Sequence, residues 1–270
     1  MPLARGTKHE SAVRRLRAAS AAAIVRRARK VLGAVARPTR SGQSPWTETP
    51  ADATRIEVAI EETLEGAPLA FARGAQRTAL LPDDVVVDFA RHRAQSVVLC
   101  LDTSLSMQGE KLALMGVAVA VVLLQFADDA VAVVGFDDVA HVLKHADERI
   151  SVEALIERLL DVPGRPYTNL EAGLTRALEM AQRATHGSRG HPVSTVLVTD
   201  GKYTAGADPA RLATRFAHLT VLKVGADRAG LALCRELAQR GHGSMREAPR
   251  LDVIPFAMYG AVQELLRGRG

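Results

Sequence analysis

Apolar residues in this chain fall into unbroken runs separated by polar turns, and the clearest run is Ser96 to Leu101, Ser-Val-Val-Leu-Cys-Leu. A short, partly β-branched run of this kind predicts a strand buried on both faces. The run Leu112 to Leu124 is too long for a strand and predicts a core helix within Gly109 to Ala127. Further strands are expected at Ala130 to Phe136, Ala140 to Leu143, Val193 to Thr199, Leu219 to Val224 and Gly243 to Glu247. Helices are expected from a Ser151 cap to Leu160, and over Leu170 to Ala184, Pro209 to Ala217, Arg228 to Arg240 and Val253 to Leu266. Alternation of this kind predicts an α/β fold with a doubly wound, mostly parallel sheet. The turn Asp137-Asp138 is too short for a crossover, so Ala140 to Leu143 is expected to be an antiparallel edge strand.

Ahead of this core the pattern changes. Val13, Leu16, Ala23, Ile24, Ala28, Val31 and Val35 recur at three- and four-residue spacing, which predicts a helix with a narrow apolar stripe. Pro38, Pro45 and Pro50 among Ser, Thr and Gly residues read as a linker. Asp84 to Phe89 is β-rich and is expected to lead into the core strand. The resulting organisation is a basic helical arm (1–37), a linker (38–54), a flanking segment (55–83) and an α/β domain (84–270).

Charge sharpens the picture of the arm. Residues 1–40 hold eleven Lys and Arg against Glu10 alone, a net of +10, while the chain as a whole is +5 and the remainder therefore −5. Arg14, Arg15, Arg26 and Arg27 are the candidate partner contacts of the arm, toward an acidic protein, nucleic acid or an anionic membrane surface. The opposing expectation is a solvated basic face on a helix packed by its stripe. No apolar run reaches the roughly 20 residues that cross a bilayer. The N-terminus shows no hydrophobic signal segment, and the two cysteines, Cys100 and Cys234, fall in elements expected to be buried. A cytoplasmic protein with reduced thiols is expected. Most basic residues are Arg, compatible with a GC-rich bacterial coding bias.

Candidate chemistry gathers where the core strand ends. Leu101 is followed by Asp102 and by hydroxyls at alternate positions, Ser104 and Ser106. Ligand-type residues at the carboxyl end of a parallel strand lie where open α/β sheets bind ligands. A carboxylate with hydroxyls, and no His or Cys, suits a hard cation such as Mg2+. Asp-Thr-Ser-Leu-Ser resembles the Asp-x-Ser-x-Ser motif of the metal-ion-dependent adhesion site (MIDAS) in von Willebrand factor A (VWA) domains. Tyr167-Thr168-Asn169-Leu170-Glu171 resembles the second motif of that family, and Val196-Leu197-Val198-Thr199-Asp200-Gly201 the third. The resemblance implies a Rossmann-like fold with Ser104 and Ser106 as direct ligands. It further implies Thr168 as a direct or water-mediated ligand, with Asp102 and Asp200 holding coordinated waters. Mg2+ is the implied ion, with Mn2+ as an alternative. A Glu or Asp of a partner protein is the implied last ligand. Leu105, where the family more often has Gly, makes the rim bulkier, and Lys202 lies beside Asp200; both are candidate partner contacts.

Ile56 to Leu64, Ile-Glu-Val-Ala-Ile-Glu-Glu-Thr-Leu, resembles a segment upstream of the VWA domain in partners of MoxR-type AAA ATPases and in magnesium chelatase D subunits. No phosphate-binding Gly-rich loop is present, so the chain itself is not expected to hydrolyse ATP. The leading expectation is a non-catalytic docking protein that works with a MoxR-type ATPase or its client. The alternative is a nucleic-acid-associated adaptor using the basic arm, and a metal-dependent hydrolase ranks third. Asp137 and Asp138 are expected as turn formers. Trp46 is read as a linker anchor or a surface contact.

Overall fold

The computed structural model describes residues 3–31, 39–51, 53–72, 80–92, 96–127, 129–187 and 193–267. In chain order the elements are α1 (Leu3–Val31), β1 (Thr39–Pro45), β2 (Ala53–Val58), α2 (Ile60–Ala72), β3 (Val86–His92) and β4 (Ser96–Asp102). There follow α3 (Glu110–Gln125), β5 (Ala130–Phe136), β6 (Ala140–Lys144), α4 (Val152–Asp161), α5 (Leu170–Gly187) and β7 (Ser194–Thr199). The last are α6 (Ala210–Ala213), β8 (His218–Val224), α7 (Leu231–Arg240), β9 (Met245–Ala248) and α8 (Ile254–Arg267). The chain divides into two units, residues 1–35 with 95–270, and residues 36–94.

The larger unit is built on a six-stranded sheet of order β6-β5-β4-β7-β8-β9. All neighbours pair in parallel except β5 and β6, whose antiparallel register follows from the tight turn at Asp137 and Asp138. The expected doubly wound fold and its antiparallel edge strand are therefore present. Side chains alternate across β4. Val97, Leu99 and Leu101 enter one core with α3, α4 and α8, while Val98 and Cys100 enter the other with α5, α6 and α7. Both cysteines are buried and unpaired, as apolar runs at those positions imply.

Eleven of the sixteen residues of α3 are buried, including Leu114, Met115, Val117, Ala118, Val121 and Val122. One sheet face cannot bury a whole helix. The rest of its cover comes from α4, α8 and α1, whose Ala21, Ile24, Val25 and Ala28 join the same core. Ile24 packs over Gly116 of α3, where a Cβ would make an ordinary contact at 3.5 Å with Ile24 Cδ1. The stripe of α1 thus differs from the expected one. Leu16 is 68% exposed, Ala23 is exposed, and the buried arc runs through Ala21 and Val25 instead. Val35 lies outside the described residues. Ion pairs from Arg17 to Asp161 and from Arg29 to Glu153 (3.6 Å) flank the seam with α4.

The smaller unit is a three-stranded antiparallel sheet of order β1-β3-β2. Here two expectations are corrected. Thr39–Pro45, expected within a linker, pairs along its length with β3. Val86–His92, expected to feed the core strand of a domain starting at 84, is the centre of this separate sheet. Thr39–Pro45 has no apolar alternation, so its strand character comes from backbone pairing. Gly42 sits opposite Phe89, whose ring occupies the space a Cβ would need (2.7 Å). Thr63 of α2 ties to β3 by accepting from Val86 N–H at 3.0 Å. Trp46 is half exposed in a short 3-10 turn, and its N–H donates to Val85 O at 2.9 Å.

Candidate metal centre

The sheet order reverses between β4 and β7, because the chain builds outward from β4 to β5 and β6 and then returns to the other side. Asp102 closes β4 and Asp200 follows β7, so the two carboxylates flank the crevice that such a reversal opens. Asp102 is fully buried. Its Oδ1 accepts from Ser104 N–H at 3.0 Å and from Ser104 Oγ at 2.6 Å. Its Oδ2 accepts from Thr199 Oγ1 at 2.7 Å. Burial raises the Asp102 carboxyl to about 6, against the lowering effect of the hydrogen bonds from Ser104 and Thr199.

Ser106 Oγ donates to Asp200 Oδ2 at 2.9 Å and stands 3.3 Å from Ser104 Oγ. Asp200 Oδ1 accepts from Lys202 N–H at 3.1 Å, which shapes the turn at Gly201. Asp102 with Ser104 and Ser106 with Asp200 therefore form two hydrogen-bonded pairs whose serine oxygens face each other. Thr168 is buried on the adjoining loop ahead of α5. Its N–H donates to Thr204 Oγ1 at 3.0 Å and its carbonyl accepts from Thr204 N–H at 3.0 Å, so the second loop is clasped to the third. Its side chain joins neither of the two hydrogen-bonded pairs. Leu105 N–H donates to Arg165 O at 2.9 Å and clasps the first loop to the second.

The donor set fits a hard divalent cation. Among the described residues no three His, Cys, Asp or Glu converge, so a cation here depends on hydroxyls as well as the two acids. The 3.3 Å between the serine oxygens is close to the roughly 3 Å edge of an octahedron of oxygens at about 2.1 Å. Each serine hydroxyl now donates to a carboxylate, and the same oxygens keep lone pairs for a metal.

Sequence reasoning assigned no role to several residues that shape this site. Thr199 holds Asp102 and, through the same oxygen, accepts from Gly201 N–H at 3.0 Å. Its position just before Asp200 was the available signal. Lys111 Nζ donates to Ser106 O at 2.8 Å. Asn169 Oδ1 caps α5 by accepting from Ala172 N–H at 3.0 Å. Asp137 is fully buried and shapes the turn by accepting from Val139 N–H at 3.1 Å, whereas Asp138 does more than turn the chain, since both its oxygens accept from Arg165. Of the expected partner contacts, Leu105 is exposed, and Arg14, Arg15, Arg26 and Arg27 line the solvent side of α1. Lys202 is half exposed and forms an ion pair with Asp227.

Residues 97–202 match the family model of the von Willebrand factor type A domain. The match opens in β4 and closes at Lys202, so it takes in Asp102, Ser104, Ser106, Thr168 and Asp200. No curated protein matches the sequence. Among solved structures, proximal thread matrix protein 1 from the mussel byssus is similar at a TM-score of 0.52 and 18% identity, over 63% of this chain and 46% of that one. A second structure of that protein, described as having a zinc-occupied MIDAS motif, gives 0.52 and 17% over 63% and 47%. The BatB protein of Bacteroides thetaiotaomicron gives 0.48 and 18% over 63% and 100%. The chain spans about half the length of the mussel protein, and the similarity is one of fold. Among the described residues no helix is long and apolar enough to cross a membrane.

Proposed function

We propose that this is a non-catalytic docking protein of the cytoplasm that holds Mg2+ at the lip of its VWA sheet and takes a Glu or Asp of a partner protein as a further ligand. The observation that carries the reading is the pairing of Asp102 with Ser104 and of Ser106 with Asp200, which sets the two serine oxygens 3.3 Å apart at the point where strand order reverses. Ser104, Ser106 and Thr168 would offer neutral oxygens, with Asp102 and Asp200 balancing charge. A cation held mainly by neutral oxygens supplies unspent positive charge, which favours one more anionic ligand. The chain does the positioning. Thr199 and Ser104 fix both oxygens of Asp102, the Thr204 clasp holds Thr168, and Arg165 holds the Leu105 turn. Both carboxylates are engaged by hydroxyls or backbone N–H groups, which supports docking over hydrolysis.

The partner class we favour is a MoxR-type AAA ATPase or the client it remodels. Support comes from the resemblance of Ile56 to Leu64, which here forms the end of edge strand β2 and the start of α2 with Ile56, Val58, Ile60 and Leu64 exposed. The exposed arginines of α1 sustain the second reading, a nucleic-acid adaptor, which predicts binding that falls steeply with salt and disappears in an Arg15→Ala/Arg26→Ala/Arg27→Ala variant.

The test combines calorimetric titration of the full chain with MgCl2 and affinity retention from native lysate with and without EDTA. Mg2+ binding, and retention of an AAA ATPase that needs both Mg2+ and intact Ser104 and Ser106, support the reading. Retention indifferent to the metal and to Ser104→Ala/Ser106→Ala overturns it.

A further inference from the structure

Large apolar side chains stand in water around the candidate metal centre. Leu105 lies between Ser104 and Ser106, Tyr167 precedes Thr168, and Tyr203 follows Lys202; they are 59%, 58% and 41% exposed. Val139, in the turn after β5, is also exposed. Among the described residues the larger unit exposes only two others of this class, Leu16 and Phe256. Four of six are therefore gathered on loops at one edge of one sheet. Exposed apolar groups scattered singly need no explanation, but a cluster rimmed by polar groups marks a contact surface.

The loops that carry them are held in place. The first is clasped to the second by Leu105 N–H and Arg165 O, and the second to the third by Thr168 and Thr204. Of the cations at this edge, Lys202 pairs with Asp227 and Arg165 with Asp138, while Lys111 donates to Ser106 O and Arg228 is exposed. The residues next to Ser104, Ser106 and Thr168 are Leu105 and Tyr167, with Tyr203 on the third loop, so the rim nearest the ligand-type oxygens is apolar and aromatic. An acidic side chain seated between the serines brings its own chain neighbours over Leu105, Tyr167 and Tyr203.

We infer that the partner segment carries its acid beside a large apolar or aromatic side chain, which packs among Leu105, Tyr167 and Tyr203. The inference rests on the metal-docking reading and adds the chemistry of the ligand.

The experiment pans short displayed peptides, each with one fixed Glu and otherwise random, against the full chain in Mg2+. Survivors eluted by EDTA are expected to be enriched in Phe, Tyr, Trp, Leu or Met beside the Glu. Replacing that apolar residue by Gly in a resynthesised peptide is expected to weaken binding about ten-fold, an increment typical of burying part of one apolar side chain. The difference should vanish in Leu105→Ser/Tyr167→Ser/Tyr203→Ser, with Leu105→Ser alone as a milder second variant; all three side chains are exposed, and thermal melts check that each variant folds. Mg2+-dependent survivors without apolar enrichment, or enriched in further acids, overturn the inference and leave the docking reading standing. Survivors that need neither Mg2+ nor Glu overturn both. A chain that dimerises through these residues in sedimentation assigns the rim to a second copy and also overturns the inference.

Discussion

Thr199 Oγ1 donates to Asp102 Oδ2 at 2.7 Å across the junction of β7 and β4, with both side chains fully buried. The same oxygen accepts from Gly201 N–H, so a single hydroxyl aims the first carboxylate and shapes the loop of the second. Thr199→Val keeps the shape and leaves a buried carboxylate oxygen and an N–H unpaired. It is expected to lower unfolding free energy by about 1–3 kcal/mol in urea titrations, and Thr199→Ser to recover most of it.

Metal binding to the folded chain alone raises its stability. With Mg2+ at about a hundred times its dissociation constant, the gain expected is about 2.7 kcal/mol, seen as a higher melting temperature that EDTA reverses. Asp102→Asn and Ser104→Ala/Ser106→Ala are expected to melt at the same temperature with and without Mg2+.

Helix α1 should behave as part of the core on one side and as a solvated face on the other. Ile24→Ala removes a side chain packed over Gly116 and is expected to cost about 2–4 kcal/mol. Arg15→Ala and Arg26→Ala, on the exposed arc, are expected within about 0.5 kcal/mol of wild type in the same urea titration.

Gly201 has φ +79°, and a Cβ there would lie 2.7 Å from Gly230 O and 2.8 Å from Cys234 Sγ. Gly201→Ala combines backbone strain with a clash against main chain. A loss of about 1–3 kcal/mol is expected, together with a weaker Mg2+-induced rise in melting temperature, because the turn positions Asp200.

Lys144 is buried and donates to Val131 O at 2.8 Å and His145 O at 3.0 Å. Desolvation holds its ammonium below the usual 10.5, despite Glu148 and Asp147 nearby. Between the lowered value and 10.5 the unfolded chain binds more protons than the folded one, so this group's contribution to stability rises with pH. Urea titrations across that alkaline window should show the rise in wild type and lose it in Lys144→Met.

Much of the fold could be read locally. Runs such as Ser96 to Leu101 and the helical stretch after Ser151 are set by period and capping, and the Ser151 cap is present with its Oγ accepting from Ala154 N–H. The ligand-type residues were legible because Asp102, Ser104 and Ser106 lie within one turn of chain. The buried arc of α1 was misplaced because Ala21 and Ala28 carry little hydropathic weight, and α3 decides which arc faces inward. Thr39–Pro45 carries no alternation, so its sequence reads as linker and only pairing with β3 makes it a strand.

By itself the sequence determined which segments become the strands and helices of the larger unit, and which hydroxyls and carboxylates stand at the ends of its strands. Both depend on interactions between residues close in the chain. Only the tertiary structure decided that β4 and β7 lie side by side, so that Thr199 meets Asp102 and Ser106 meets Asp200. It also decided that Leu105, Tyr167 and Tyr203 stand on loops clasped to one another. Those pairings join residues far apart in sequence. Their energy comes from burial and from satisfying buried polar groups, which no local pattern encodes.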